Sequence, residues 1–271
     1  MFNIYATGVS GTIGKHLKNQ VFAINCDLRN SELTNIPNIK AGACILHSAA
    51  IVGPISVSKD LATSYKVNVK ASKILAEFAK NNEISRFVYV STSHVYARSN
   101  SMLTESSPTG PNNVYAEQKL EAEEEITSVF RDYPEKLCIV RVFSVLDWDV
   151  ADFTLGGGIK KLTSNDLSFI LNYGDDIRDF LTPQLIANTL ISIANETRLT
   201  GIVNLATGVG IKVREAARTM LEGSGYKLPE NRIISGNSDY PYVVGDNSKL
   251  TAALPDLNLK WNPSRLLQPN D

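Results

Sequence analysis

Tyr115 and Lys119 stand four residues apart in the run Tyr115-Ala116-Glu117-Gln118-Lys119. On a helix that spacing stacks the two side chains on one face, a turn apart. A phenol ordinarily titrates near pH ~10, too high for ready proton exchange at neutrality, and a neighbouring ammonium favours the phenolate and lowers that value. The pair is therefore suited to acid–base work, protonating a carbonyl as it is reduced or deprotonating an alcohol as it is oxidised. Amphipathic helices often carry a Tyr and a Lys at this spacing, so a second signal is needed. It lies in Phe87-Val88-Tyr89-Val90-Ser91-Thr92-Ser93-His94-Val95-Tyr96, an apolar strand whose carboxyl end breaks into hydroxyl residues. Ligands of open α/β sheets sit at the carboxyl ends of strands, where a hydroxyl can hold the oxygen that the tyrosine protonates.

A third group of residues is built to hold phosphate. In Thr7-Gly8-Val9-Ser10-Gly11-Thr12-Ile13-Gly14 the glycines are spaced three apart, after a strand and before an expected helix. Gly8 permits a tight turn, Gly11 lets backbone approach a pyrophosphate, and Gly14 lets helix pack on strand. With Ser10, Thr12 and Ile13 they form a cradle for a dinucleotide, completed by the N–H groups of the helix that follows. Asp27, beside Leu28, is the acid at the end of the second strand that would hold the adenosine ribose, or else merely cap a turn. Arg29 could instead meet a 2′-phosphate, so NAD and NADP both stay open.

The elements that must position these groups alternate. Strands are expected at 4–7, 21–26, 43–48, 87–91 and 137–142, with helices at 12–19, 61–81 and 114–130. That alternation is the signature of an α/β doubly wound parallel sheet, a Rossmann fold. The character changes near residue 146: Gly156-Gly157-Gly158 reads as a flexible turn, 166–179 as a polar loop, 182–195 and 213–222 as helices, and 203–205 as a strand. Five prolines, Pro229, Pro241, Pro255, Pro263 and Pro269, punctuate the tail. The expected division is a dinucleotide-binding domain over 1–150 and a smaller substrate lobe over 151–271, interleaved with the sheet.

Bulk properties narrow the classes. Hydrophobic residues make up 43 % and charged residues 20 %, ordinary for a chain that buries a large core. A net charge of -1 gives no electrostatic footprint for nucleic acid or an anionic membrane. No apolar run approaches a membrane span and no signal peptide is visible, so a cytoplasmic location is expected. Cys26, Cys44 and Cys138 are far apart and read as reduced thiols, and His16, His47 and His94 lack ligand spacing, so no metal is expected.

Taken in order, these motifs resemble the extended short-chain dehydrogenases/reductases of the nucleotide-sugar epimerase/dehydratase/reductase group. The resemblance covers nearly the whole chain: the cradle, His47-Ser48-Ala49-Ala50, Asn68, the 91–96 run, Tyr115 with Lys119, Arg141-Val142-Phe143-Ser144, Arg178-Asp179-Phe180, and Asn204-Leu205-Ala206-Thr207-Gly208. It implies Tyr115 as catalytic acid/base, Lys119 holding the nicotinamide ribose, and Thr92 as the catalytic hydroxyl. Ser48, Ala49 and Ala50 would line the cofactor, and Asn68 would support the lysine through water. Ser93 and His94 take substrate-facing places that are Asp and Glu in the dehydratases, which argues against 4,6-dehydration. Arg178 would grip a substrate diphosphate, unless it is a surface charge paired with Asp175 or Asp176. Ser144 stands where the family has a substrate-binding Asn. The resemblance also implies a homodimer through the helices at 61–81 and 114–130.

Only about thirty residues separate the cradle from His47, too few for two further strand–helix units, so one is expected to be missing or collapsed. Some 4-keto-sugar reductases are similarly short. The leading expectation is an enzyme reducing a 4-keto-6-deoxy sugar nucleotide with NAD or NADP. A nucleotide-sugar 4-epimerase is the alternative, and a non-catalytic NAD(P) sensor the reading from another class. The acidic run 121–125 is expected to be a solvated helix face.

Overall fold

The chain enters through β1 (Ile4–Thr7), whose buried residues are flanked on either side by β2 (Phe22–Ala23) and β3 (Cys44–His47) in parallel pairing. This computed structural model describes residues 1–30, 33, 36–148, 154–163, 170–223 and 232–259. Beyond β3 the chain runs through α1 (Pro54–Lys59), α2 (Leu61–Tyr65) and α3 (Ala71–Asn81) to β4 (Arg86–Thr92), then α4 (Val114–Val129) and β5 (Leu137–Val142). A π-helical turn at Lys66–Lys70 joins α2 to α3, so the helix expected over 61–81 is continuous. Side chains cap these helices: Asp60 accepts from Thr63 N at 2.9 Å and Asn113 from Ala116 N at 3.0 Å.

With β9 (Gly201–Leu205), these strands make a six-stranded parallel sheet of order β2-β1-β3-β4-β5-β9. The doubly wound α/β fold expected from the alternation is the one observed. β2 and β3 lie on opposite sides of β1, which puts the topological switch point at the carboxyl ends of β1 and β3. One face of the sheet packs Leu75, Ala122 and Ile126 of α3 and α4; the other packs Ile186, Leu190 and Ile193 of α6 (Pro183–Asn195). Buried Arg86 at the head of β4 donates to the carbonyls of Ile193 and Leu199, tying α6 down at its carboxyl end.

A third apolar cluster lies outside the large sheet. It gathers Leu146, Ile159 of α5 (Leu155–Thr163), Phe180, and Ala216, Ala217 and Met220 of α7 (Val213–Gly223). Around it stand a pair, β6 (Ser144–Val145) with β8 (Phe180–Leu181), and a sheet of order β10-β7-β11, with β7 at Ile177–Arg178, β10 at Ile211–Lys212 and β11 at Tyr242–Val243. α8 (Ser248–Ala253) then returns to pack on β9.

Several local expectations need correction. The helix at 12–19 is a single 3-10 turn, Gly14–His16, closed by His16 N to Ile13 O at 3.1 Å and Leu17 N to Gly14 O at 2.9 Å. It has no capping side chain, and Gly14 and Leu17 are its buried residues, too little burial to offset helix nucleation. The strand expected at 21–26 shrinks to β2, both residues of which are exposed. Gly156-Gly157-Gly158 is no turn: these glycines lie inside α5, buried, with Thr154 Oγ1 accepting from Gly157 N at 3.2 Å. Packing of α5 on α7, through Ile159 against Ala216, Ala217 and Met220, overrides the low helix propensity of glycine. The short α1 was not foreseen. Among the described residues no strand lies between β2 and β3, so the expected compaction removes a strand–helix unit. The expected boundary at 150, part of the 166–179 loop, and Pro229, Pro263 and Pro269 lie outside the described residues.

Candidate active site

Gly8 holds φ at 75°, and a Cβ there would stand 2.7 Å from Ala49 N. A Cβ on Gly14 would fall 1.9 Å from Gly8 O. Both glycines are therefore demanded by the way the turn folds against the β3 loop. Gly11 differs: its Cβ would meet only Gly8 O, at 3.3 Å, a contact relieved by a shift of a few tenths of an ångström. Its bare, exposed backbone leaves the outer face of the turn open to a ligand. The 3-10 turn that follows is too short to supply a helix dipole, so the cradle offers backbone N–H groups alone.

Two cavities meet at Ala50. One, of about 350 Å³, runs from Gly8 and Ser10 across Ala49 to Asp27, Leu28 and Arg29. Asp27 accepts from Arg29 N at 3.0 Å, so it makes the turn-capping contact while also facing this cavity. The other, of about 450 Å³, is walled by Ser48, Thr92, Tyr115 and Lys119, with Ile13 towards the cradle and Ser144 and Arg178 from the smaller sheets. Ser48 Oγ donates to Thr7 O at 2.8 Å and Ala49 N to Thr7 Oγ1 at 3.3 Å, which locks the β3 loop to β1. Buried His47 continues that lock to Thr7 (2.6 Å) and Ser72 (2.8 Å); its pKa, lowered by burial to about 3, keeps it neutral.

Tyr115 and Lys119 sit on α4 against the end of β4, as their spacing requires. Tyr115 and Thr92 wall the same cavity, where burial pushes the phenol up to about 12 and outweighs the Thr92 hydroxyl, which favours the phenolate. Lys119 does not bring the phenol below its ordinary value as expected, because desolvation outweighs every other influence on it. Lys119 Nζ donates to Val90 O at 2.7 Å and lies 4.0 Å over the Tyr89 ring. Burial drives the ammonium down to about 7, with Glu123 pulling the other way. His94 packs edge-on to Tyr115, ring centroids 6.4 Å apart. His94 is exposed where it lines two cavities, and desolvation by the surrounding walls, then the charge of Arg178, lowers its pKa.

A third cavity, of about 320 Å³, adjoins the site through His94, Ser144 and Arg178 and is lined by Ser93, Asn113 and Asp239. Arg178 is paired with Asp176 at 2.8 Å, the contact anticipated for a merely structural arginine, yet it walls both cavities. Its neighbour Asp179 is buried and accepts from Thr207 N (2.8 Å), Thr207 Oγ1 (2.6 Å) and Gly208 N (2.9 Å), clasping the two late motifs together.

Asn68 is not aimed at Lys119. Its Oδ1 accepts from Ile51 N at 2.8 Å, and its Nδ2 donates to Ile51 O at 3.0 Å and to Gln118 Oε1 at 2.9 Å. Gln118 in turn donates to Ser64 Oγ at 3.0 Å. Asn68 thus pins the β3 loop to α4, and neither Gln118 nor Ser64 was singled out by sequence reasoning. Asn68 and Thr12 line none of the three cavities. Ser91 and Arg141 were named only as motif residues and Glu123 was expected on a solvated face; together they form a buried cluster beneath Lys119. One signal could have found it: Glu123 lies four residues past Lys119, on the same helix face. Among the described residues no cluster of His, Cys, Asp and Glu could hold a metal, and no helix is long and apolar enough to cross a membrane.

A model of the NAD dependent epimerase/dehydratase family matches residues 18–205. That stretch begins past the glycine cradle and includes Thr92, Tyr115 and Lys119. The GDP-6-deoxy-D-talose 4-dehydrogenase of Aggregatibacter actinomycetemcomitans is 24 % identical over 271 residues, covering 93 % of this chain and 90 % of that protein. The UDP-glucose 4-epimerase of Azospirillum brasilense is 27 % identical over 232 residues, covering 78 % of this chain and 66 % of that protein. Among solved structures, RMD from Pseudomonas aeruginosa complexed with NADPH superposes with a TM-score of 0.81 at 20 % identity, over 98 % of this chain and 95 % of that one.

Proposed function

Because the chain belongs to the NAD-dependent epimerase/dehydratase family, we propose that it is an NAD(P)-dependent oxidoreductase that reduces a 4-keto-6-deoxy sugar nucleotide. The observation that carries this reading is Tyr115: a buried phenol, pushed up to about 12, on the wall of a cleft that Thr92 also lines. Such a group keeps its proton at neutral pH, as the general acid in carbonyl reduction must. The relative named for dehydrogenation at position 4 of a GDP-6-deoxy sugar, which matches 93 % of the chain, supports the same substrate class.

The residues present fit a dinucleotide. Gly11 keeps the cradle open, and the cavity from Ser10 to Asp27 joins the one holding Tyr115 at Ala50. Gly8, Ser10, Gly11, Thr12, Ile13 and Gly14 would hold the pyrophosphate side, Asp27 and Leu28 the adenosine side, and Ser48, Ala49, Ala50 and Lys119 the nicotinamide side. Asn68 would act through the loop it pins. When bound, the dinucleotide supplies the hydride. Thr92 then orients the keto oxygen, and Tyr115 gives it a proton. The phenolate left behind is stabilised by the Thr92 hydroxyl and the Lys119 ammonium. Ser93, His94 and Ser144 would contact the sugar, and Arg178, on the wall common to two cavities, the diphosphate. The division at residue 150, a homodimer through α2, α3 and α4, and a cytoplasmic location belong to the same proposal.

The experiment is to denature the freshly purified protein and identify any released dinucleotide by mass spectrometry. An empty site that fills with NADPH or NADH is the result expected, since a reductase exchanges cofactor every cycle. Near-stoichiometric NAD would replace this reading with a 4-epimerase, which must keep its cofactor through both half-reactions. An empty site that binds neither would overturn the enzyme reading.

A further inference from the structure

Of the acidic run on α4, Glu123 does not belong to the solvated face: it is 3 % exposed. It follows Tyr115 by eight residues and Lys119 by four, so it continues their face of the helix. Its carboxylate accepts from Arg141 Nη2 at 2.6 Å and Arg141 Nε at 3.1 and 3.2 Å, and from the Ser91 hydroxyl. Ser91 is the residue before Thr92 on β4. Arg141, on β5, lies 4.6 Å over the Tyr96 ring, and Tyr96 Oη donates to Asn204 on β9 at 2.6 Å. One carboxylate therefore joins the helix bearing Tyr115 and Lys119 to two strands directly, β4 and β5, and through Arg141 and Tyr96 to β9.

Stability does not account for such a pair. Two buried charges lose most of in-water solvation, and apolar residues of the same volume commonly hold a core as well or better. Its worth has to be sought in what surrounds it. The ammonium of Lys119 rests on a backbone carbonyl and an aromatic face, and among the described residues no ion pair reaches it. The other titratable groups towards Lys119 carry no compensating charge: His47 on β3 is neutral, Tyr89 on β4 stays protonated, and so does Tyr115. Glu123 is the anion that favours the charged lysine.

We propose that Glu123, braced by Arg141, is a positioning residue for the Tyr115–Lys119 pair: it holds Lys119 as an ammonium and fixes Ser91, and with it Thr92, at the end of β4. This rests on the reading of Tyr115 and Lys119 as the catalytic pair. Removing the charge of Glu123 lowers the pH at which Lys119 loses its proton. A step that needs the ammonium then loses its basic limb earlier, with kcat falling and KM for the substrate held.

The test titrates Lys119 directly, without substrate or cofactor. Acetic anhydride labels only the free amine, and the labelling of the Lys119 peptide is read by mass spectrometry across the neutral and alkaline range. In Glu123→Gln, which keeps hydrogen-bonding oxygen for Arg141 and Ser91, the labelling midpoint should fall by about one pH unit, or about tenfold more free amine at a fixed pH near neutrality. A folded Glu123→Gln protein whose midpoint matches the parent overturns the proposal. Should that variant fail to fold, the double variant Glu123→Leu/Arg141→Met removes both charges without leaving an orphan. A fall in the same direction is expected there, smaller because the Arg141 cation goes with the carboxylate, and an unmoved midpoint again overturns it. If no sugar nucleotide is turned over, the functional reading fails, while the labelling midpoint still decides the place of Glu123.

Discussion

The two ends of the proposed dinucleotide cleft are built in opposite ways. At the Tyr115 end, a seven-residue strand, all of it buried, meets a sixteen-residue helix. The polar side chains there have named partners: Thr92 with His94 N, Lys119 with Val90 O, and Ser91 and Arg141 with Glu123. At the Asp27 end, a two-residue exposed strand closes the sheet, and Asp27 makes a local bond to the backbone of Arg29. Desolvation magnifies charge effects at the first end and water screens them at the second. Chemistry can be placed at a dry, cross-braced end, whereas an open rim recognises its ligand weakly and tolerates substitution.

Four substitutions test that contrast, in falling order of effect. Tyr115→Phe keeps the ring and its packing but removes the proton donor. Steady-state turnover should drop by about 10²- to 10⁴-fold, with dinucleotide affinity by fluorescence titration little changed; surviving turnover would remove Tyr115 from its role. Gly14→Ala brings a Cβ to within 1.9 Å of Gly8 O, which should cost about 3 kcal/mol or more in unfolding free energy. Gly11→Ala should cost less than about 1 kcal/mol and show its loss in dinucleotide affinity instead. If thermal melts place the two glycine variants together, Gly11 is a fold residue like Gly14. Asp27→Ala should weaken NAD by about fivefold at most and NADP less, measured as a ratio of the two KM values. A collapse of turnover as deep as that of Tyr115→Phe would erase the contrast between the ends.

Much of the fold was legible because burial on both faces of a parallel strand leaves a clear apolar run. The strands at 4–7, 44–47, 86–92 and 137–142 stand where such runs predict, and the helix at 114–129 begins at its Asn113 cap. The edge failed for the same reason in reverse: Phe22 and Ala23 are exposed, so no burial enforces a longer strand than pairing with β1 provides. Glycine misled at 156–158, since a close approach of α5 to α7 is a property of the partner helix and leaves no mark in local sequence.

Sequence by itself determined the fold class, the family and the groups able to do acid–base chemistry, because periodicity, glycine spacing and the Tyr–Lys interval are local quantities. Tertiary structure alone decided how those groups are charged and braced. It turned Lys119 onto Val90 O, kept the proton on Tyr115 by burial, spent Asn68 on the Ile51 backbone and Gln118, and drew Glu123 out of an acidic run into the core. Each of these depends on how much water and which partners a side chain meets, and those are fixed only when distant segments pack together.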